Sequence, residues 1–124
     1  MLELTSKKIL MIHDKIIDKY GGQKGILNEG SVEYLIYLLE KDNDIFKKAS
    51  MVLYRIITNH PFMDGNKRTA FEVADFLLRH EGVHIHAKDE EIIKVLIEIA
   101  KYKCPEERIF RWLKRNTQSL HSCE

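Results

Sequence analysis

An all-α fold is predicted by three observations. Apolar residues recur at three- and four-residue spacing in six blocks, glycines and cap-type polar residues punctuate those blocks, and the only two prolines, Pro61 and Pro105, fall at block boundaries. The expectation is one compact bundle of about six helices spanning residues 1–124.

In the first block, Ile9, Leu10, Ile12, His13, Ile16, Ile17 and Tyr20 share one stripe, with Ser6 placed to cap it and Gly21-Gly22 to stop it. A glycine-punctuated loop, 23–30, follows. Ser31 can cap a second helix carrying Val32, Leu35, Ile36, Leu38 and Leu39, which Lys41 to Asn43 break. From Asp44 a third, largely buried helix carries Ile45, Ala49, Val52, Leu53, Ile56 and Ile57. The fourth bears Ala70, Val73, Ala74, Leu77 and Leu78 and stops at Gly82. Residues 83–87 can be briefly extended. Asp89 then caps a fifth helix with Ile92, Ile93, Leu96, Ile97 and Ala100 on its stripe, and its charged face, Glu90, Lys94, Glu98 and Lys101, reads as solvated. Pro105 opens the last helix, to about residue 116, which carries Ile109, Phe110, Trp112 and Leu113. The polar tail after Asn116 is expected to fray.

With 124 residues, 44% of them hydrophobic and 31% charged, the chain can bury a core without disulfide staples. Twenty basic against nineteen acidic residues leave a formal charge of +1, which gives no footprint for direct nucleic-acid binding. Cys104 and Cys123 sit in no CxxC pattern, so a reducing cytoplasm fits best. No run approaches the roughly 20 apolar residues of a membrane span, and none resembles a secretion signal; a soluble, unexported protein is expected.

Chemistry concentrates in residues 60–68, HPFMDGNKR, between the third and fourth helices. A helix starting near Gly65 and Asn66 offers unpaired backbone N–H groups and a positive dipole end, both suited to phosphate. Gly65 allows close approach, and Lys67 and Arg68 add a point charge and a bidentate fork. His60 is the candidate general base, because imidazole titrates nearest neutral pH. Asp64 can ligate magnesium or orient a reacting group. Phe62 reads as a core anchor. The plain alternative is an ordinary Asp-Gly-Asn turn with a solvated first turn behind it. No GxxxxGK[ST] or GxGxxG run supports a nucleotide site elsewhere.

This run resembles the signature of the Fic/Doc superfamily, and more closely its death-on-curing (Doc) branch, H-x-F-x-[DN]-[AG]-N-K-R, at every fixed position. The segment IHDKIIDKYGGQKGILNEG, 12–30, is similar to the N-terminal helix and glycine loop of Doc proteins. The AMP-transferring Fic branch reads H-x-F-x-[DE]-G-N-G-R-x-x-R, so Lys67 and Phe71 depart from it. The resemblance implies that His60 deprotonates a target hydroxyl, that Asp64 holds Mg2+ or orients the base, and that Gly65, Asn66, Lys67 and Arg68 hold the phosphates of ATP. It further implies a toxin that moves the γ-phosphate of ATP to a threonine of elongation factor Tu and is restrained by an antitoxin protein. The link 40–44 is shorter than the target-docking segment of Doc toxins. An inhibitory [ST]xxxE[GN] helix is not matched, because Gly25 stands at the Ser/Thr position before Glu29-Gly30; this favours inhibition in trans. AMP transfer and a catalytically idle partner-binding domain are the competing readings.

His84 and His86, with His80 upstream, could put two imidazoles on one face of an extended segment. No third ligand lies at a matching spacing, which favours surface histidines over a metal site. His13 shares the apolar stripe of the first helix and reads as architecture rather than half of a dyad with Asp14. Trp112 and Phe110 read as core aromatics.

Overall fold

A computed structural model describes residues 4–121. Its elements are α1 (Ser6–Tyr20), α2 (Glu29–Leu39), α3 (Ile45–Asn59), α4 (Asn66–His80), β1 (Val83–Ile85), α5 (Asp89–Ala100), α6 (Glu106–Arg115) and β2 (Thr117–Ser119). The fold is all-α, six helices with one two-stranded ribbon. No described helix is long and apolar enough to cross a membrane.

Side-chain caps set the first three helix starts, whereas α5, expected to be capped by Asp89, has Lys88 at its N-cap with no side-chain bond and takes Asp89 into its first turn. Thr5, not Ser6, caps α1 by accepting from the Lys8 N–H, and Asn28, not Ser31, caps α2 by accepting from the Ser31 N–H at 3.1 Å. In both cases the cap lies three residues before its donor, so the next Ser/Thr is drawn inside the helix. Asp44 caps α3 through bonds from the Phe46 and Lys47 N–H groups.

The centre of the molecule is the α3–α4 pair, with α2, α5 and α6 against α3 and α1 against α4. Ala49, Val52, Leu53, Ile56 and Ile57 from α3 meet Ala70, Val73, Ala74, Leu77 and Leu78 from α4 in one continuous core with Ile9, Val32, Leu35, Ile99, Ile109 and Leu113. Alanines at 49, 70 and 74 keep the helices close, and each fully buried Leu or Ile contributes about 1.5–3 kcal/mol. The link between the two central helices carries residues 60–65, so the most densely packed pair in the fold also supports the motif.

Two further expectations are corrected. The stripe of α5 is rotated: Val95, Leu96 and Ile99 are buried, while Ile93 and Ile97 are exposed. Six of its twelve residues are Ile, Val or Leu, too many for one face, so spacing alone does not fix the phase. The described part of the tail is ordered directly after Asn116, because Thr117–Ser119 pair antiparallel with Val83–Ile85, and flanking bonds run from His86 N–H to Asn116 O and from Leu120 N–H to Gly82 O. Backbone pairing needs no apolar side chains, so the polar composition of β2 hides it. The ribbon is tied to the bundle at Asp75, whose Oδ1 accepts from the buried Ile85 N–H at 2.8 Å while Oδ2 takes Arg79 Nε at 2.7 Å. Cys123 lies outside the described residues.

Candidate active site

The last turn of α3 ends at Asn59, and His60 takes the left-handed conformation (φ 49°, ψ 60°) that terminates it, its N–H still bonded to Ile56 O. That reversal turns the chain away from the helix axis and leaves the His60 side chain exposed, with no hydrogen bond to another described residue. Phe62 drops into the core, fully buried, as expected of a core anchor.

The loop after α1 runs antiparallel beside the motif. Leu27 and Asn28 both donate to Pro61 O, Met63 donates to Gly25 O, and Ile26 bridges Phe62. Residues 60–63 are therefore held by an adjacent strand-like segment as well as by the end of α3. Glu29 and Gly30 lie behind this loop in the first turn of α2.

Asn66 closes the turn onto itself. Its carboxamide accepts from the Phe62 N–H at 3.1 Å and donates to Phe62 O at 3.0 Å, both within buried surroundings. The side chain is thus committed to the loop, and the backbone N–H of Asn66 stands free of it at the helix start. The first i−4 bond of α4 is Thr69 N–H to Gly65 O, so the N–H groups of Asn66, Lys67 and Arg68 precede the helical ladder. Gly65 (φ +76°) gives α4 no side-chain cap, which leaves its N-terminal mouth open. A Cβ at Gly65 would approach Ile17 Cδ1 to 3.2 Å, so α1 packs directly against this residue.

Asp64 is exposed but not loose. Its Oδ1 accepts from the Gly65 N–H at 3.0 Å and its Oδ2 from the Gln23 N–H at 3.2 Å; its carbonyl takes a 2.8 Å bond from His13 Nε2. A carboxylate has about four acceptor positions, so two remain for a cation or a reacting group. Gly22 permits this contact, since a Cβ there would meet Asp64 Oδ2 at 2.9 Å.

Lys67 and Arg68 are exposed on the first turn of α4 and make no ion pair among the described residues. Arg68 rests over the Tyr20 ring, 4.1 Å from its centre, at the edge of a cleft of about 350 Å³ floored by Ile16, Ile92 and Leu96 and walled by Phe71. The six residues singled out by sequence, His60, Asp64, Gly65, Asn66, Lys67 and Arg68, thus lie on one turn and one helix start. Chemically the arrangement offers an imidazole, a carboxylate with spare acceptors, three backbone donors and two cations.

A family model for the Fic/DOC family matches residues 3–78, well over half of the chain. The chain belongs to the Fic/DOC family. It is also 30% identical over 96 residues to "Protein kinase doc" of Escherichia phage P1, a match covering 73% of this chain and 76% of that protein. The matched part of this Fic/DOC chain takes in α1, the glycine loop and the motif, and within the Fic/DOC family it is of Doc type.

Sequence reasoning did not find two of the contacts that shape this Fic/DOC site, the Asn66 clamp on Phe62 and the His13 bond to Asp64. The second left a signal: a polar ring on a buried stripe needs a partner, and only a polar loop could supply one. The clamp left none, since asparagine before a helix is equally at home as a turn residue or a cap. Three of the remaining histidines make local contacts. His80 Nδ1 lies 3.3 Å from Phe76 O, and the His84 and His86 rings meet edge-on at 5.8 Å. No group of three or more His, Cys, Asp or Glu residues suited to a metal is found among the described residues.

Proposed function

We propose that this chain is a Doc-type toxin that transfers the γ-phosphate of ATP to a hydroxyl group of a protein. The observation that carries the reading is the mouth of α4. Three backbone N–H groups there precede the helical ladder, Lys67 and Arg68 flank them, and the exposed imidazole of His60 sits at the other end of the same six-residue turn. Similarity to a protein named as a kinase supports phosphoryl over nucleotidyl transfer.

In this mechanism the target hydroxyl approaches His60, whose ring nitrogen accepts the proton as oxygen attacks the γ-phosphorus. The new O–P bond forms as the β–γ bridging bond breaks, and ADP leaves with the electron pair. The N–H groups of Asn66, Lys67 and Arg68, with the Lys67 ammonium and Arg68 guanidinium, hold the phosphoryl oxygens in line and balance their charge. Lys67 fills space that glycine leaves open in the AMP-transferring branch, which shifts the phosphorus facing the hydroxyl from α to γ.

The residues present fit Mg2+: Asp64 keeps free acceptor positions at the phosphate mouth, and magnesium commonly takes one or two carboxylates with the rest from phosphate and water. When bound, the ion supplies charge neutralisation on the phosphate chain. The protein target by resemblance is a threonine of elongation factor Tu, and the partner is an antitoxin segment acting in trans at this mouth, in the cytoplasm.

Cell extract incubated with the protein, magnesium and either α- or γ-labelled ATP tests the reading. γ-label on a protein is the expected result; α-label instead identifies AMP transfer, and no label on any protein points to an idle partner-binding domain.

A further inference from the structure

We propose that His13 is a positioning residue that fixes the direction of the Asp64 carboxylate through the peptide group joining Asp64 to Gly65. The inference rests on the phosphotransfer reading for its chemical consequence, though not for its geometry.

Three contacts form a continuous path. The His13 ring is 2% exposed and lies face to face with the Phe62 ring, centroids 3.8 Å apart and planes 8° from parallel. The ring therefore cannot swing without disturbing the core. Its Nε2 is 2.8 Å from Asp64 O, and since a carbonyl only accepts, Nε2 must carry the proton. The carbonyl of Asp64 and the N–H of Gly65 belong to one rigid plane and point in opposite directions. Holding the oxygen therefore aims the N–H, and that N–H donates to Asp64 Oδ1 at 3.0 Å.

The pin is needed because the next residue in the chain is a glycine. Gly65 sits at φ +76° and has no Cβ to resist rotation of the preceding peptide. In an exposed turn, a 64–65 peptide without His13 can flip, which withdraws the N–H from Oδ1 and leaves the carboxylate tethered only by the Gln23 N–H at 3.2 Å. A residue on α1 thus governs an acidic group whose carboxylate it never touches.

Two substitutions separate ring packing from hydrogen bonding. Gln places its Nε2 donor the same three bonds from Cβ as histidine Nε2 does but loses the stack, whereas Phe keeps the stack and loses the donor. His13→Phe is expected to fold with near-native melting temperature, to lose hydrogen-exchange protection at the Gly65 amide in two-dimensional NMR, and to lose about tenfold or more in kcat with MgATP binding changed far less. His13→Gln is expected to melt lower yet to keep Gly65 protection and kcat within a few-fold of wild type.

If activity and Gly65 protection instead follow melting temperature across the two variants, His13 is merely structural and the inference is overturned. An unprotected Gly65 in His13→Phe beside a wild type that transfers no γ-label would sustain the positioning and sink the transfer reading. A Gly65 amide equally protected in all three proteins would sink the positioning, whether or not the wild type is active.

Discussion

The guanidinium of Arg68 lies 4.1 Å from the centre of the Tyr20 ring, joining the first turn of α4 to the last turn of α1 across the mouth of the candidate site. A long, flexible cation is thereby restrained before any ligand arrives. Exposed cation–π contacts are worth about 0.5–1 kcal/mol, so Tyr20→Ala should weaken MgATP binding by roughly two- to fivefold, and Tyr20→Phe should leave it near wild type. Isothermal titration of the three proteins checks the pattern; equal weakening by both substitutions would argue that the phenol hydroxyl, not the ring face, matters.

His60→Ala should abolish label transfer, a loss of roughly 10²–10⁴-fold in rate, with a melting temperature close to wild type, because the imidazole makes no hydrogen bond to another described residue. Single-turnover assays with γ-labelled ATP measure it. Retained transfer would remove His60 from the role of base.

Lys67→Gly should restore space beside the phosphates and move the reaction toward α-label on protein. Lys67 is exposed and unpaired among the described residues, so the fold should tolerate the change with about 1 kcal/mol of lost helix propensity. An unchanged γ-label yield would mean that another residue sets which phosphorus is attacked.

Asn66→Ala should destabilise the protein by about 2–4 kcal/mol, since both backbone groups of Phe62 lose their partner in a buried setting. Urea unfolding followed by circular dichroism gives the value. A loss below about 0.5 kcal/mol would mean that water replaces the carboxamide without cost.

Burial pushes the Cys104 thiol above its ordinary range, with nearby Arg108 pulling in the opposite direction and Glu98 adding to the rise. Thiolate is the reactive form, so a raised value means less of it at any pH below the folded value. Alkylation of Cys104 by iodoacetamide at about pH 8 should therefore be slow in the native protein and fast in denaturant, as read by peptide mass spectrometry. Equal rates in the two states would contradict the buried placement.

The helices were legible because their stripes and stops are local: Ile9 to Ile17 before Gly21, or Val73 to Leu78 before Gly82, need no knowledge of the partner. The motif was legible for the same reason, as six chemically pointed residues within nine. What sequence could not resolve depends on contacts between distant segments. The phase of α5 is chosen by α3 and α4, β2 is chosen by the free edge of β1, and the bond from His13 to Asp64 spans 51 positions. Asn66 was legible only in part, for its type fits a ligand contact as well as a loop clamp, and only the buried position of Phe62 decides between them.

The left-handed backbone at His60 bears on how this protein can change. Helix ends of this shape favour glycine, which adopts positive φ at no steric cost, whereas a side chain there costs about 1 kcal/mol. The residue with the most pointed chemistry therefore stands where the backbone would gain from losing it. In a laboratory population selected only for thermal robustness, His60→Gly is an accessible gain; if the proposed toxin reading holds, the same change is an escape in one selected to survive the protein's own expression. Under the proposed transfer reading both pressures lead to one inert, more stable descendant, and His60 is then kept by selection for activity against the preference of its own helix.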